Sequence, residues 1–203
     1  QRNKLLKQIS FQPSLEDTLD IWDMQLLQYG ESIIKRRSQF IEEIGETVTK
    51  VNENLTGNKE HLQMLYEPDV NIDEFANKLN NYRERDKKLF STSVGPHRDD
   101  LCFMNKDIDI RKYGSQGQQR TCALSLKLAE IEIVKNMTGD SPVLLLDDVL
   151  SELDRNRQNY LLDSIHDIQT IITCTGIEEF IDSRLTLDRI FRIKEGTVFI
   201  EKE

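Results

Sequence analysis

The chain has 203 residues, enough for one large or two small domains. It is 37% hydrophobic and 31% charged, with a formal net charge of −9. That balance counts against a bulk-electrostatic nucleic-acid binder: contact with DNA would need a local basic patch, a dimer groove or a further segment. No apolar run approaches the ~18 residues of a membrane helix, so no membrane role is expected. Gln1-Arg2-Asn3-Lys4 is not a signal peptide, and there is no initiator Met, so the sequence reads as part of a longer chain. Cys102, Cys122 and Cys174 form no CxxC pair, which suits reduced thiols in a cytoplasmic protein. His61, His97 and His166 are scattered without metal-ligand spacing.

In chain order, residues 1–9 read as a helix ended by Phe11-Gln12-Pro13. Ser14 offers an N-cap to one long helix over about 14–54. Its apolar stripe is Leu15, Leu19, Trp22, Leu26, Tyr29, Ile33, Phe40, Ile44, Val48, Val51 and Leu55, in steps of three or four. Gly30 and Gly45 interrupt it and either could mark a bend. The stripe packs on helices of the same chain or forms an inter-subunit arm. His61 to Glu67 reads as a strand and Ile72 to Lys88 as a second helix, with Phe75, Leu79 and Tyr82 on one face. Arg83, Arg85, Lys87 and Lys88 are the densest basic patch, either a solvated face or a phosphate-backbone contact.

After Phe90 the pattern changes. Leu101–Met104 and Ile108–Arg111 flank a hairpin turn. Gln118 to Met137 is a helix with Leu124, Leu128, Ile131 and Val134 inward. Val143 to Leu146 is an apolar strand expected to be buried on both faces. A helix over Arg155–Ile165, a buried strand over Ile168–Cys174 and a hairpin of Ile190–Ile193 with Val198–Glu201 complete an α/β layer.

Two stretches carry chemistry. Tyr113-Gly114-Ser115-Gln116-Gly117-Gln118 is a small-residue turn feeding a helix start, whose free N–H groups and dipole suit a phosphate. Val143-Leu144-Leu145-Leu146-Asp147-Asp148 is a strand ending in two carboxylates, which suits Mg2+.

Ser115 to Arg120, followed about thirty residues on by Leu144 to Asp154, resembles the ATPase heads of the ABC and SMC superfamily. The fuller string Ser91-Thr92-Ser93-Val94-Gly95-Pro96-His97-Arg98-Asp99-Asp100, then Tyr113 to Gln118, resembles the bacterial RecF family of recombinational repair proteins. The resemblance covers Phe90 to Lys202 well and the first part more loosely. It implies an α/β fold, the C-terminal half of an ABC-type head, with an α-helical lobe containing a long helical hairpin or arm. The lobe would occupy 1–89 and the head 90–203.

By that resemblance Ser115, Gln116, Gly117 and Gln118 are the signature motif, contacting ATP on the opposite subunit. Asp147 matches the Walker B aspartate that holds Mg2+. Asp148 stands where relatives carry a catalytic Glu, and Ser151 and Asp154 match the loop at the dimer seam. No G-x-x-x-x-G-K-[ST] occurs here, so the phosphate loop is expected before Gln1. The usual switch histidine is replaced by Thr173-Cys174-Thr175-Gly176, where Thr173 or Thr175 could offer a hydroxyl. His97-Arg98-Asp99-Asp100 is expected to form a loop-stabilising Arg–Asp network.

The resemblance therefore implies half of a composite ATPase. Intact, it would be slow and DNA-stimulated, dimerise on ATP, bind double-stranded or gapped DNA and act with RecO and RecR to load RecA in bacterial cytoplasm. The 203 residues alone are expected to be inactive. An SMC-type head, a transporter ATPase and a non-catalytic scaffold are the alternatives.

Overall fold

The computed structural model describes residues 1–175 and 188–201. Its spine is α2 (Leu19–Thr56), a helix of 38 residues, about 57 Å long at 1.5 Å per residue. Each stretch of α2 serves a different apolar cluster. Leu19 packs with Leu5, Leu6 and Ile9 of α1 (Arg2–Ile9). Ile34 packs with Phe75 and Leu79 of α3 (Ile72–Asn81). Ile41, Ile44 and Val48 meet Leu62 and Met64 of β1 (Leu62–Glu67) and Phe103 of β2 (Asp100–Asn105). Val51 and Leu55 reach Leu124, Leu128 and Ile131 of α6 (Gln116–Thr138) and Leu161, Leu162 and Ile165 of α7 (Arg155–Ile165).

The helix starts later than Ser14, because Pro13–Thr18 is wound as a 3-10 segment; its N-cap is Thr18, whose hydroxyl donates back to Leu15 O and makes no capping bond. Its buried stripe is also rotated in the middle. Gly30, Ile34 and Ile41 are buried, whereas Tyr29 is 63% exposed and Ile33 and Phe40 about two-fifths exposed. The reason is a close crossing: a Cβ on Gly30 would stand 2.5 Å from Cε1 of Phe75. A glycine was thus the contact residue, and apolar counting passed over it. α2 runs unbroken through Gly30 and Gly45.

The helix expected over 72–88 is two, α3 and α4 (Arg83–Leu89), broken at Tyr82 with φ −91 and ψ −1. The change of direction buries Asp86 completely, where Arg2 Nη1 donates to it at 2.7 Å and the Ser93 N–H at 2.9 Å. β1 pairs antiparallel with β2 from Leu62↔Asn105 to Glu67↔Asp100, so one sheet joins chain on both sides of residue 90. The second arm of the hairpin is shorter than Ile108–Arg111. β3 (Ile108–Asp109) gives way to α5 (Ile110–Tyr113), because the Asp109 carboxylate accepts the Arg111 N–H at 3.0 Å and caps a helical turn.

β4 (Leu144–Asp147) and β5 (Thr170–Thr173) pair in parallel, joined through α7. The expected burial on both faces does not hold. Leu146 is buried and Leu144 half-buried against α6 and α7, while Leu145 is 70% and Ile171 56% exposed on the other face. β6 (Ile190–Lys194) and β7 (Thr197–Glu201) form the expected closing hairpin.

Candidate functional site

The turn before α6 is a capping box. Ser115 Oγ accepts the Gln118 N–H at 3.3 Å, and Gln118 Oε1 accepts the Ser115 N–H at 2.9 Å. The reciprocal bonds hold the turn rigid and satisfy one orphan donor of the helix. The N–H groups of Gln116 and Gly117 make no hydrogen bond within the described residues and face solvent at the positive end of a 23-residue helix. Ser115 is exposed, and its hydroxyl proton has no acceptor among the described residues.

The two glycines of this turn do different work. A Cβ on Gly114 would lie 2.6 Å from the Ile110 carbonyl oxygen, so internal packing excludes a side chain there. A Cβ on Gly117 would meet nothing closer than Arg157 Nη1 at 3.9 Å and Ser115 Oγ at 4.0 Å. Packing leaves Gly117 room for a side chain. Its lack of one leaves the Gln116 and Gly117 N–H groups open to an oxyanion approaching from outside.

Asp147 ends β4 opposite Thr173 of β5, and the Thr173 hydroxyl donates to its carboxylate. Asp148 has left the strand and lies in the left-handed region at φ 52. Four bonds pin it: its N–H is shared between Thr173 O at 3.0 Å and Thr173 Oγ1 at 3.2 Å, and Ser151 Oγ donates to both its carbonyl and its carboxylate at 2.9 Å. Both carboxylates are exposed at the carboxyl end of a parallel pair, the place where open α/β sheets bind ligands. Among the described residues no group of three or more His, Cys, Asp or Glu gathers to hold a metal. Two carboxylates nevertheless fit Mg2+, which usually takes one or two from protein and the rest from phosphate and water.

Thr173, at the position of the missing switch histidine, is occupied with Asp147; Gly176, the last residue of that stretch, lies outside the described residues. Asp154 caps α7, accepting the N–H groups of Asn156 and Arg157 at 3.1 Å. It also pairs with the Arg157 guanidinium at 3.2 Å. Arg157 is the residue that sequence reading missed. Tied to Asp154 and lying beside Gly117, it links the α7 cap to the α6 turn. Its only sequence signal is a position three after Asp154, one helical turn into α7. No hydrogen bond among the described residues joins the Ser115 turn to Asp147.

Arg83, Arg85, Lys87 and Lys88 do not form one surface. Arg83 pairs with Asp20 at 2.6 Å, and Lys87 with Glu16 at 2.7 Å and Glu84 at 2.5 Å, which leaves Arg85 and Lys88 exposed. The Arg–Asp network around His97-Arg98-Asp99-Asp100 exists with other arginines. Arg37 of α2 donates to Asp99 at 2.7 Å, joined there by the Tyr66 hydroxyl and the Asp69 N–H, and Arg111 donates to Asp100 at 2.6 Å. Burial, then the bond to Asp99, pushes the Tyr66 phenol up to about 12.

No protein-family model matches the chain. Two curated relatives, each described as DNA replication and repair protein RecF, match it nearly end to end. That of Lachnospira eligens is 57% identical over 99% of this chain and 56% of its own. That of Lachnoclostridium phytofermentans is 58% identical over 98% of this chain and 55% of its own. A solved structure described as the recombination mediator protein RecF-ATP in the RecFOR pathway superposes with a TM-score of 0.84 at 36% identity, over 99% of this chain and 55% of that one. The expected α/β ATPase-type fold with a helical lobe is thus that of RecF. Spanning about half the length of the curated relatives it matches, the chain belongs to the RecF family.

Proposed function

We propose that this chain supplies the signature turn and the carboxylate strand of an ATP-dependent clamp used in recombinational DNA repair. In this reading Ser115, Gln116, Gly117 and Gln118 receive the γ-phosphate of ATP bound to a second copy. Asp147 holds Mg2+, which would neutralise charge on the phosphates, and Asp148 orients the attacking water. Ser151 and Asp154 lie at the dimer seam. The phosphate loop belongs to the length that the relatives have beyond this match. The apolar face of Leu145 and Ile171 packs on that same length.

The observation that carries the reading is the exposed tip of α6. It is pre-ordered by the Ser115–Gln118 box and presents free N–H groups with a glycine that packing does not require. The match to a RecF-ATP structure supports ATP as the ligand. The relatives' names support a DNA-repair role, with DNA, RecO and RecR as partners; a place in the bacterial cytoplasm follows from the family resemblance. Double-stranded or gapped DNA and the loading of RecA follow from the family resemblance. Hydrolysis would release the clamp by removing the γ-phosphate that ties the two copies.

Sedimentation of the full-length protein with ATP and with ADP tests this. A dimer with ATP alone is expected. Ser115→Ala should lose the dimer while keeping ATP, and Asp147→Asn should lose the Mg2+ dependence of binding. A dimer undiminished in both variants would leave only the scaffold reading. The 203-residue chain is expected neither to hold ATP tightly nor to turn it over, and robust hydrolysis by it alone would sink the composite site.

A further inference from the structure

A second polar site lies on the lobe, away from the α6 tip and the β4 carboxylates. α3, α4 and the loop after α4 border an open cleft of about 230 Å3, lined by Lys78, Tyr82, Arg85, Ser91, Ser93 and Arg98 together with Asp69. Its cations are short of partners. Asp99 and Asp100, the carboxylates next to Arg98, are taken by Arg37 and Arg111. Among the described residues neither Arg98 nor Arg85 has a carboxylate partner. Arg85 instead lies over the Tyr82 ring, 5.4 Å from its centroid, which fixes its planar head without neutralising it. Lys78 Nζ donates to the Asp69 backbone carbonyl at 2.5 Å, a neutral acceptor rather than a carboxylate. Asp69 is the one carboxylate lining the cleft, and its Oδ2 is engaged by the Gly95 N–H at 3.1 Å. The hydroxyls of Ser91 and Ser93 make no hydrogen bond within the described residues.

Three cations, two free hydroxyls and one occupied carboxylate form a donor-rich, acceptor-poor recess on a chain whose net charge is −9. We propose that this cleft seats a phosphodiester of a DNA backbone, with Arg85 and Arg98 forking the non-bridging oxygens and Ser91 and Ser93 donating to the same group. Both arginines are exposed at the rim, so a continuous strand can enter from outside. A carboxylate, planar and with two oxygens, would leave part of this donor set unpaired, whereas a tetrahedral phosphate presents oxygens in several directions. The inference rests on the DNA-binding reading above and adds a place for it, because it replaces the paired Arg83 and Lys87 with Lys78 and Arg98.

The test is fluorescence anisotropy of the full-length protein on a labelled duplex over a salt series, with Arg85→Gln/Arg98→Gln, Ser91→Ala/Ser93→Ala and the remote Lys127→Gln. The arginine pair should weaken binding about tenfold per residue and reduce the slope of log K against log salt by about two. The serine pair should weaken it less, Lys127→Gln should leave it unchanged, and all variants should keep the wild-type thermal midpoint. Wild-type affinity and slope in the arginine pair, while the wild type binds, would overturn the cleft and leave the DNA reading standing. A wild type that binds no duplex would overturn both. Equal weakening toward polyglutamate would overturn it in favour of an acidic peptide. Inorganic phosphate that raises the wild-type midpoint but not the variant's, with the DNA slope unchanged, would overturn it in favour of a free anion.

Discussion

The lobe around α2 and the ledge of β4 and β5 bury their apolar residues in opposite ways. In the lobe, Leu19, Val48, Phe75 and Leu79 are at most 1% exposed, and three clusters form along a single helix. On the ledge, Leu146 turns inward and is 6% exposed, while its neighbour Leu145 is 70% exposed. Parallel strands read as continuous apolar runs when both faces are covered. Here one face is covered by α6 and α7, and the chemistry-bearing carboxylates stand at the end of the strand whose other face is open. The lobe therefore behaves as a finished structural unit and the ledge as a surface that has its own work still to do.

Substitutions can break that contrast. Phe75→Ala should cost the most, about 3–5 kcal/mol, because the ring fills the crossing of α2 and α3; a denaturant midpoint indistinguishable from wild type would mean the crossing is loose. On the ledge, Leu146→Ala should cost about 2–5 kcal/mol, whereas Leu145→Ser should stay within about 0.5 kcal/mol in this chain. Equal losses at the two positions, measured by urea melts, would erase the difference between the faces. Ser115→Ala removes half of the capping box and should cost about 1 kcal/mol, read as a lowered thermal midpoint.

The smallest effect belongs to alkaline pH. The Tyr66 phenol rises from its ordinary 10.0 to about 12 on burial and bonding to Asp99. Its neutral form is the one the fold favours, so its contribution is complete below pH 10 and is lost as pH rises through 12. Tyr66→Phe should flatten that part of the pH profile. Cys122, pushed by burial to about 11, titrates in an overlapping window, so the comparison is best made in a Cys122→Ala background. An unaltered profile in Tyr66→Phe would remove the phenol from the lobe's alkaline limit.

The ion pairs of the basic stretch show where one-dimensional reading stops. Arg83, Arg85, Lys87 and Lys88 are adjacent in sequence, yet partners distant in the chain, Asp20 and Glu16, remove two of them from any shared surface. Arg98 runs the other way: it adjoins Asp99 and Asp100 in sequence, yet Arg37 and Arg111 pair with them instead. Arg157 carried only its place three residues after Asp154, and only the tertiary fold brings it beside Gly117.

Sequence alone determined the elements whose signals are local. The capping pair Ser115 and Gln118 starts α6, Asp154 starts α7, and a run of leucines into Asp147 makes β4, because side chain and backbone meet within one turn or one strand. Tertiary structure decided the rotation of α2 at Gly30, the break at Tyr82, which face of β4 is covered and which cations remain unpaired. Those outcomes depend on contacts between residues tens of positions apart, whose energies no local spacing encodes.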